Sequence, residues 1–199
     1  MRICAVALVL SCAISASAVE PGRAEPRFYV AVQAAVDPSG AQTELTSELR
    51  QMFIDKLKRR TDVAVTAPAW LPVDPEAMRV ELARRGVHAF DAYLKVDAIT
   101  ETVAPLPRDP SRRLVTVEIE VSLHGNTLPD RILKIGGDGR AATELVIGPS
   151  VDANAVRRRL VREVADAAIG EAIAATEEKI ALVALREHGA SALAAPRRR

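Results

Sequence analysis

Hydrophobic and polar positions alternate most strictly between Val115 and Leu123, where Val115, Val117, Ile119, Val121 and Leu123 fall on one side and Thr116, Glu118, Glu120 and Ser122 on the other. A period of two is that of a strand with one buried and one wet face. Tyr93 to Thr102 shows the same alternation, with Leu94, Val96 and Ala98 opposed to Lys95, Asp97 and Glu101. Phe28 to Val36, rich in β-branched and aromatic residues and ending at Asp37-Pro38-Ser39-Gly40, predicts a first strand, and Val63 and Val65 mark a short second one. Elsewhere the period changes. Leu45, Leu49, Met52, Phe53 and Leu57 recur at spacings of three and four, with Lys56, Lys58, Arg59 and Arg60 towards the carboxyl end, as in an amphipathic helix.

Asp74-Pro75 has the form of an N-cap followed by proline in the first turn, and Gly86 stands where a helix-ending glycine belongs, so a second helix is predicted over Asp74 to Arg85. The proline-bearing stretch Pro105 to Pro110 reads as a loop, Gly125-Asn126 as a turn, and Gly136-Gly137-Asp138-Gly139 as a turn between short strands at Ile132 to Ile135 and Thr143 to Ile147. Whether Ala141 to Ile147 pairs with the preceding strand is open at this level. Val156, Leu160, Val164 and Ala168 begin a long last helix reaching about Leu185. The order is β-α-β-α-β-β-β-(β)-α. It predicts an α/β (α+β) fold, a mixed sheet of five to six strands with three helices on one or both faces, in a single domain over residues 28–186 followed by a disordered tail, 187–199.

Ahead of this domain lies a stretch of another kind. Met1-Arg2, an uncharged run from Ile3 to Ile14, and Ser15-Ala16-Ser17-Ala18 have the layout of a secretory signal peptide, with cleavage between Ala18 and Val19. The run falls well short of the ~20 residues of a membrane-spanning helix. The rival reading is a lipoprotein signal, in which Val9-Leu10-Ser11 precedes a lipidated Cys12, although only eleven residues would come before that cysteine. Residues 19–27, with Pro21 and Pro26, form an extended leader. The expected location is the periplasm or the exterior, or the outer membrane if Cys12 carries lipid.

The element order, with Glu44-Leu45-Thr46-Ser47-Glu48-Leu49 opening a helix that leads to a basic end, the strand Val63-Ala64-Val65, and Ala89-Phe90-Asp91-Ala92-Tyr93-Leu94 entering the third strand, resembles the amino-terminal domain of TolB and the related LpoB-like and CsgG-like envelope domains. The resemblance spans most of the chain without the propeller that follows in TolB. It implies a non-catalytic interaction or assembly module of the cell envelope with another envelope protein as partner. Fold analogy does not name that partner.

Charge and cysteine content narrow the chemistry. The chain has 27 basic and 26 acidic residues, and removing the signal takes away one arginine, leaving 26 of each. A balanced charge argues against nucleic acid, whose partners carry a clustered basic face. Both cysteines, Cys4 and Cys12, lie in the signal, so the mature chain is expected to form no disulfide.

Candidate chemistry is sparse. His88, His124 and His188 are far apart and in dissimilar contexts, which makes a zinc site an unfavourable reading, and Ser111, Ser122 and Ser150 lack a nucleophile-elbow context. Glu118 and Glu120 share a strand face as an acid-base pair would, but alternating charge on a wet face, with Lys134 as a neighbour, explains them more simply. The glycine run lacks the helix amino terminus that a phosphate loop needs. Consecutive Arg157, Arg158 and Arg159 spread around a helix and, with Glu163, read as a solvated face. Trp70, the single tryptophan, sits between Pro68 and Pro72 and serves either as a plug over the core or as an anchor for a partner, with Arg84 and Arg85 able to rim it. The expectation is no catalytic, cofactor or metal site. A hydrolase whose groups meet only in the fold, and a lipid-anchored assembly subunit, are the alternatives.

Overall fold

The computed structural model of the chain describes residues 26–37 and 43–193, with side chains described up to Lys179 except at 133–134. The signal peptide, Cys12, the Ala18–Val19 cleavage site, the leader up to residue 25, Pro38-Ser39-Gly40 and the end of the tail, 194–199, lie outside the described residues.

Five strands and three helices follow one another: β1 Phe28–Val32, α1 Glu44–Lys58, β2 Val63–Ala64, α2 Pro75–Arg85, β3 His88–Leu106, β4 Asp109–Thr127, β5 Leu133–Ile147 and α3 Ala153–Leu193. The sheet order is β2-β1-β3-β4-β5, with β1 parallel to β2 and β3, and β3, β4 and β5 forming an antiparallel meander. This is the expected mixed sheet of an α+β fold. β1 is shorter than expected, but Val36 still bridges Lys95 in parallel.

Local chemistry sets the helix limits. At the start of α1 the Thr46 amide donates to Thr43 Oγ1 (3.3 Å) and the Thr43 amide to Thr46 Oγ1 (2.7 Å), satisfying two otherwise orphaned donors. At α2 the Ala77 amide donates to Asp74 Oδ1 (2.8 Å), and Gly86 closes the helix at φ 65°, a left-handed conformation that glycine adopts without a steric penalty.

The strand alternation distributes the helices. Ala92, Leu94 and Val96 of β3 and Val115, Val117, Ile119, Val121 and Leu123 of β4 face α1 and α3, forming the main core with Leu49, Phe53, Leu57, Leu160, Val164 and Ile169. Tyr29 and Ala89 face the other way and hold α2 through Leu82 and Val87.

Four expectations are corrected. Gly125-Asn126 is no turn: both residues lie in β4, paired with Ala92 and Asp91 of β3. Gly136-Gly137-Asp138-Gly139 is no turn: it lies inside β5, which runs unbroken and pairs with β4 from Asn126↔Leu133 to Arg113↔Ile147, so Ala141 to Ile147 is paired strand. The reason is the approach of α3. A Cβ on Gly139 would collide with the Ala168 carbonyl and stand 2.6 Å from the Ala172 nitrogen, and one on Gly137 would stand 2.7 Å from the Thr176 nitrogen. Pro105 and Pro110 lie in strands, not in a loop, as β3 and β4 pair out to Leu106↔Asp109 with a register shift at Pro105 that accommodates the missing donor. α3 runs to Leu193, past the boundary expected at residue 186.

Side chains answer the open edges of the sheet. Where β2 stops, the Arg50 guanidinium donates to the Val32 (3.0 Å) and Gln33 (3.1 Å) carbonyls, and at the β5 edge the Arg140 amide donates to the Glu171 carboxylate (3.0 Å). Capped edges offer a poorer template for adding a foreign strand.

Candidate functional site

Between the sheet and the pair α1–α3 the packing is incomplete at one end. There, where β1, β3 and β5 begin and β4 ends, a cavity of about 300 Å³ remains. Its walls are Phe28 and Val30 of β1, Phe53 and Leu57 of α1, Phe90 and Ala92 of β3, Leu123 of β4, Ile135 of β5 and Ile173 of α3. The wall crosses from β1 to β5, three strand spacings or about 14 Å, so the space is elongated across the sheet. Gly125 leaves room on that wall for Ile135, whose side chain fills the position a Cβ would take.

Charged groups occur at the rim. Arg60, just past α1, bridges to Glu177 of α3 and also donates to Asp62 Oδ1 (3.3 Å), joining the two helices at the mouth. Arg27 holds its guanidinium 5.7 Å from the Phe28 ring centre, and His88 stacks on the same ring at 5.9 Å. Thr176 Oγ1, buried in the wall, is satisfied by donating to the Ala172 carbonyl (2.8 Å). An elongated apolar pocket with its charges at one end holds an apolar group by exclusion from water and orients it by charge. None of these walls was singled out in the sequence, since they come from six elements and each reads locally as ordinary core.

The residues that the sequence singled out lie on other surfaces. Trp70 is half-buried against the α2 cluster of Tyr29, Leu82, Val87 and Ala89, and the Arg85 guanidinium lies 4.5 Å from its ring centre. Arg84 and Arg85 both donate to the Glu81 carboxylate (2.6 and 2.7 Å), and these hydrogen bonds, Arg84's first, hold it down to about 2. Trp70 therefore covers one end of the second core, with Arg85 as its rim. Glu118 and Glu120 share Arg140 as their partner, with 3.2 Å from its Nε to Glu120; the Lys134 side chain falls outside the described residues. Arg157 pairs with Glu101 (3.0 Å) and Arg159 with Glu163 (2.7 Å), while Arg158 is exposed.

A polar group does assemble on the sheet face away from α1 and α3. Ser122 donates its hydroxyl to Asp97, Lys95 Nζ approaches Asp97 Oδ1 at 2.8 Å, and His124 packs its ring 5.2 Å from that of Tyr93. Burial opposes ionisation of Asp97, but hydrogen bonds from Lys95 and Ser122 outweigh it and leave its carboxyl below the usual range. A hydroxyl that donates to a carboxylate is not activated as a nucleophile, which requires a base accepting its proton. His188 lies in the part of α3 without described side chains. Among the described residues no three metal-ligating side chains gather, and no helix is long and apolar enough to cross a membrane.

No protein-family model matches the sequence, and no curated protein matches it. Among solved structures, a protein from Xanthomonas campestris superposes with a TM-score of 0.42 at 12% identity over 82% of this chain and 87% of its own. A hypothetical protein from Chlamydia trachomatis gives 0.41 at 13% identity over 74% and 98%, and a lipoprotein from Neisseria meningitidis 0.39 at 8% identity over 71% and 99%. Scores of this size carry no argument about the present chain.

Proposed function

We propose that the chain is a non-catalytic binding module of the bacterial cell envelope, exported by its first 18 residues, that receives an apolar group of its partner in the cavity between the sheet and α1–α3. The cavity carries this reading: its walls are apolar apart from the Thr176 hydroxyl, and its charged groups stand at the mouth, where Arg60 and Glu177 pair with one another. That arrangement supplies affinity through burial, at about 25 cal/mol per Å² of apolar surface, and the hydroxyl in its wall, Thr176, is spent on the Ala172 carbonyl. The resemblance of the element order to the envelope domains of the TolB, LpoB and CsgG kind supports the same class, and the signal-like Met1–Ala18 supports the location.

Two measurements test it. Intact mass of protein from the native envelope fraction is expected to begin at Val19; a mass beginning at acylated Cys12 would make the module membrane-tethered, and retention of Met1 in a cytoplasmic fraction would sink the export. A naphthyl fluorophore that brightens in apolar surroundings is expected to bind the folded mature chain and to lose its signal in Ile173→Trp, which fills the cavity from α3. Equal binding by both proteins would remove the cavity from the function.

A further inference from the structure

We infer that the apolar group received by the cavity is a single acyl chain bearing an anionic head, a free fatty-acid-like amphiphile whose tail lies under α1 and α3 and whose head meets Arg27. This rests on the reading of the cavity as the binding site and names its ligand.

Shape is the first argument. The walls run in a row across the sheet, from Phe28 and Val30 through Ala92 and Leu123 to Ile135, with Phe53 and Leu57 on one side above and Ile173 on the other. An α-helix, about 10 Å across, does not fit a space of about 300 Å³ drawn out over some 14 Å, whereas one flexible hydrocarbon chain does.

Charge is the second. Two guanidinium groups line the mouth. That of Arg60 is shared between Asp62 and Glu177. That of Arg27 faces the Phe28 ring and makes no ion pair with any described residue. Arg60 is thus balanced by its two carboxylates, and Arg27, beside the Phe28 ring that forms the start of the apolar wall, is the lining cation that makes no ion pair with a described residue. An anionic head placed there would sit against Arg27 while the adjoining methylenes enter between Phe28 and Leu57.

The test uses the mature chain, residues 19–199, and amphiphiles that share one tail: dodecanoate, the neutral dodecyl maltoside and the cationic dodecyltrimethylammonium, each titrated below its micellar concentration against the bound naphthyl fluorophore. Dodecanoate is expected to displace the fluorophore and to bind more tightly than the other two. Arg27→Glu, at an exposed position that leaves the core untouched, is expected to weaken dodecanoate about fivefold and to leave dodecyl maltoside unchanged. Displacement by all three amphiphiles equally, or an Arg27→Glu variant that binds dodecanoate as before, would overturn the anionic head. If the fluorophore binds and is excluded by Ile173→Trp, yet no amphiphile displaces it, the acyl ligand fails while the cavity stands. A fluorophore that never binds in the cavity fails the underlying reading itself.

Discussion

The two faces of the sheet are built from the same alternating strands and behave differently. On one face β-branched side chains of β4, among them Val115, Val117 and Ile119, are entirely buried under α1 and α3, and the fit is so close that α3 passes over glycines. On the other face the intervening Glu118 and Glu120 pair with Arg140, Ser122 donates to Asp97 and His124 packs on Tyr93, and an apolar cluster returns under α2, around Tyr29, Leu82 and Trp70. The first face is specified by shape and the second by partners that can rearrange. Shape is intolerant of added or lost volume, whereas a solvated ion pair contributes at most about 1 kcal/mol. The cavity lies at the margin of the shape-specified face, under the Arg60–Glu177 bridge that joins the end of α1 to α3.

The largest expected effect breaks the first face. Phe53→Ala removes a side chain 1% exposed that belongs both to the core and to the cavity wall, and is expected to cost about 4 kcal/mol in urea unfolding. Because the site already holds a void, collapse around the loss is limited. The close passage of α3 comes next: Gly139→Ala is expected to cost about 3 kcal/mol, while Gly148→Ala, with nothing within 4 Å of its added methyl, should change stability by under about 1 kcal/mol. Equal effects at the two glycines would show that backbone freedom, and not the approach of α3, selects glycine in β5. On the second face Leu82→Ala is expected to cost about 2 kcal/mol, less than Phe53→Ala, because the cluster under α2 is smaller and can settle. A larger loss there than at Phe53 would reverse the ranking of the faces.

Which parts were legible in the sequence follows from this contrast. The alternation of β4, the three-four spacing of α1 and the Asp74-Pro75 and Gly86 limits of α2 are local signals, and the structure has each element in place. The glycines of β5 misled because a run of three glycines in four residues is the local signature of a turn. Gly137 and Gly139 stand two apart, on one face of a strand, and Ala165, Ala168 and Ala172 form a matching row of small residues on α3; taken together, the two patterns announce a close helix-sheet contact. Pro105 and Pro110 point to a loop because proline cannot donate to a ladder, but at a register shift, such as that between Pro105 and Leu106, the ladder does not require a donor at every position. The cavity had no local signature at all. Its walls are drawn from positions between Arg27 and Glu177, and a space is defined by what fails to meet in three dimensions.

The smallest expected effect concerns the rim of the second face. Glu81 accepts from Arg84 and Arg85, and Arg85 in turn covers Trp70, the chain's only tryptophan. In the folded chain the Glu81 carboxyl titrates near 2 instead of its ordinary 4.5, so the charged form is the one favoured by folding. Its contribution is therefore present above pH 4.5 and is lost as the pH falls from 4.5 towards 2. Solvent screening keeps that contribution small, so stability is a blunt probe and the indole a sharper one. Tryptophan emission of the native chain is expected to shift over this interval as Arg85 is released from the carboxylate and leaves its fixed place over the ring, and the shift should vanish in Glu81→Gln, whose side chain does not titrate. A shift of equal size in Glu81→Gln would place its origin in the loosening of the whole cluster beneath α2, and Arg85 would then owe its position over Trp70 to the ring alone.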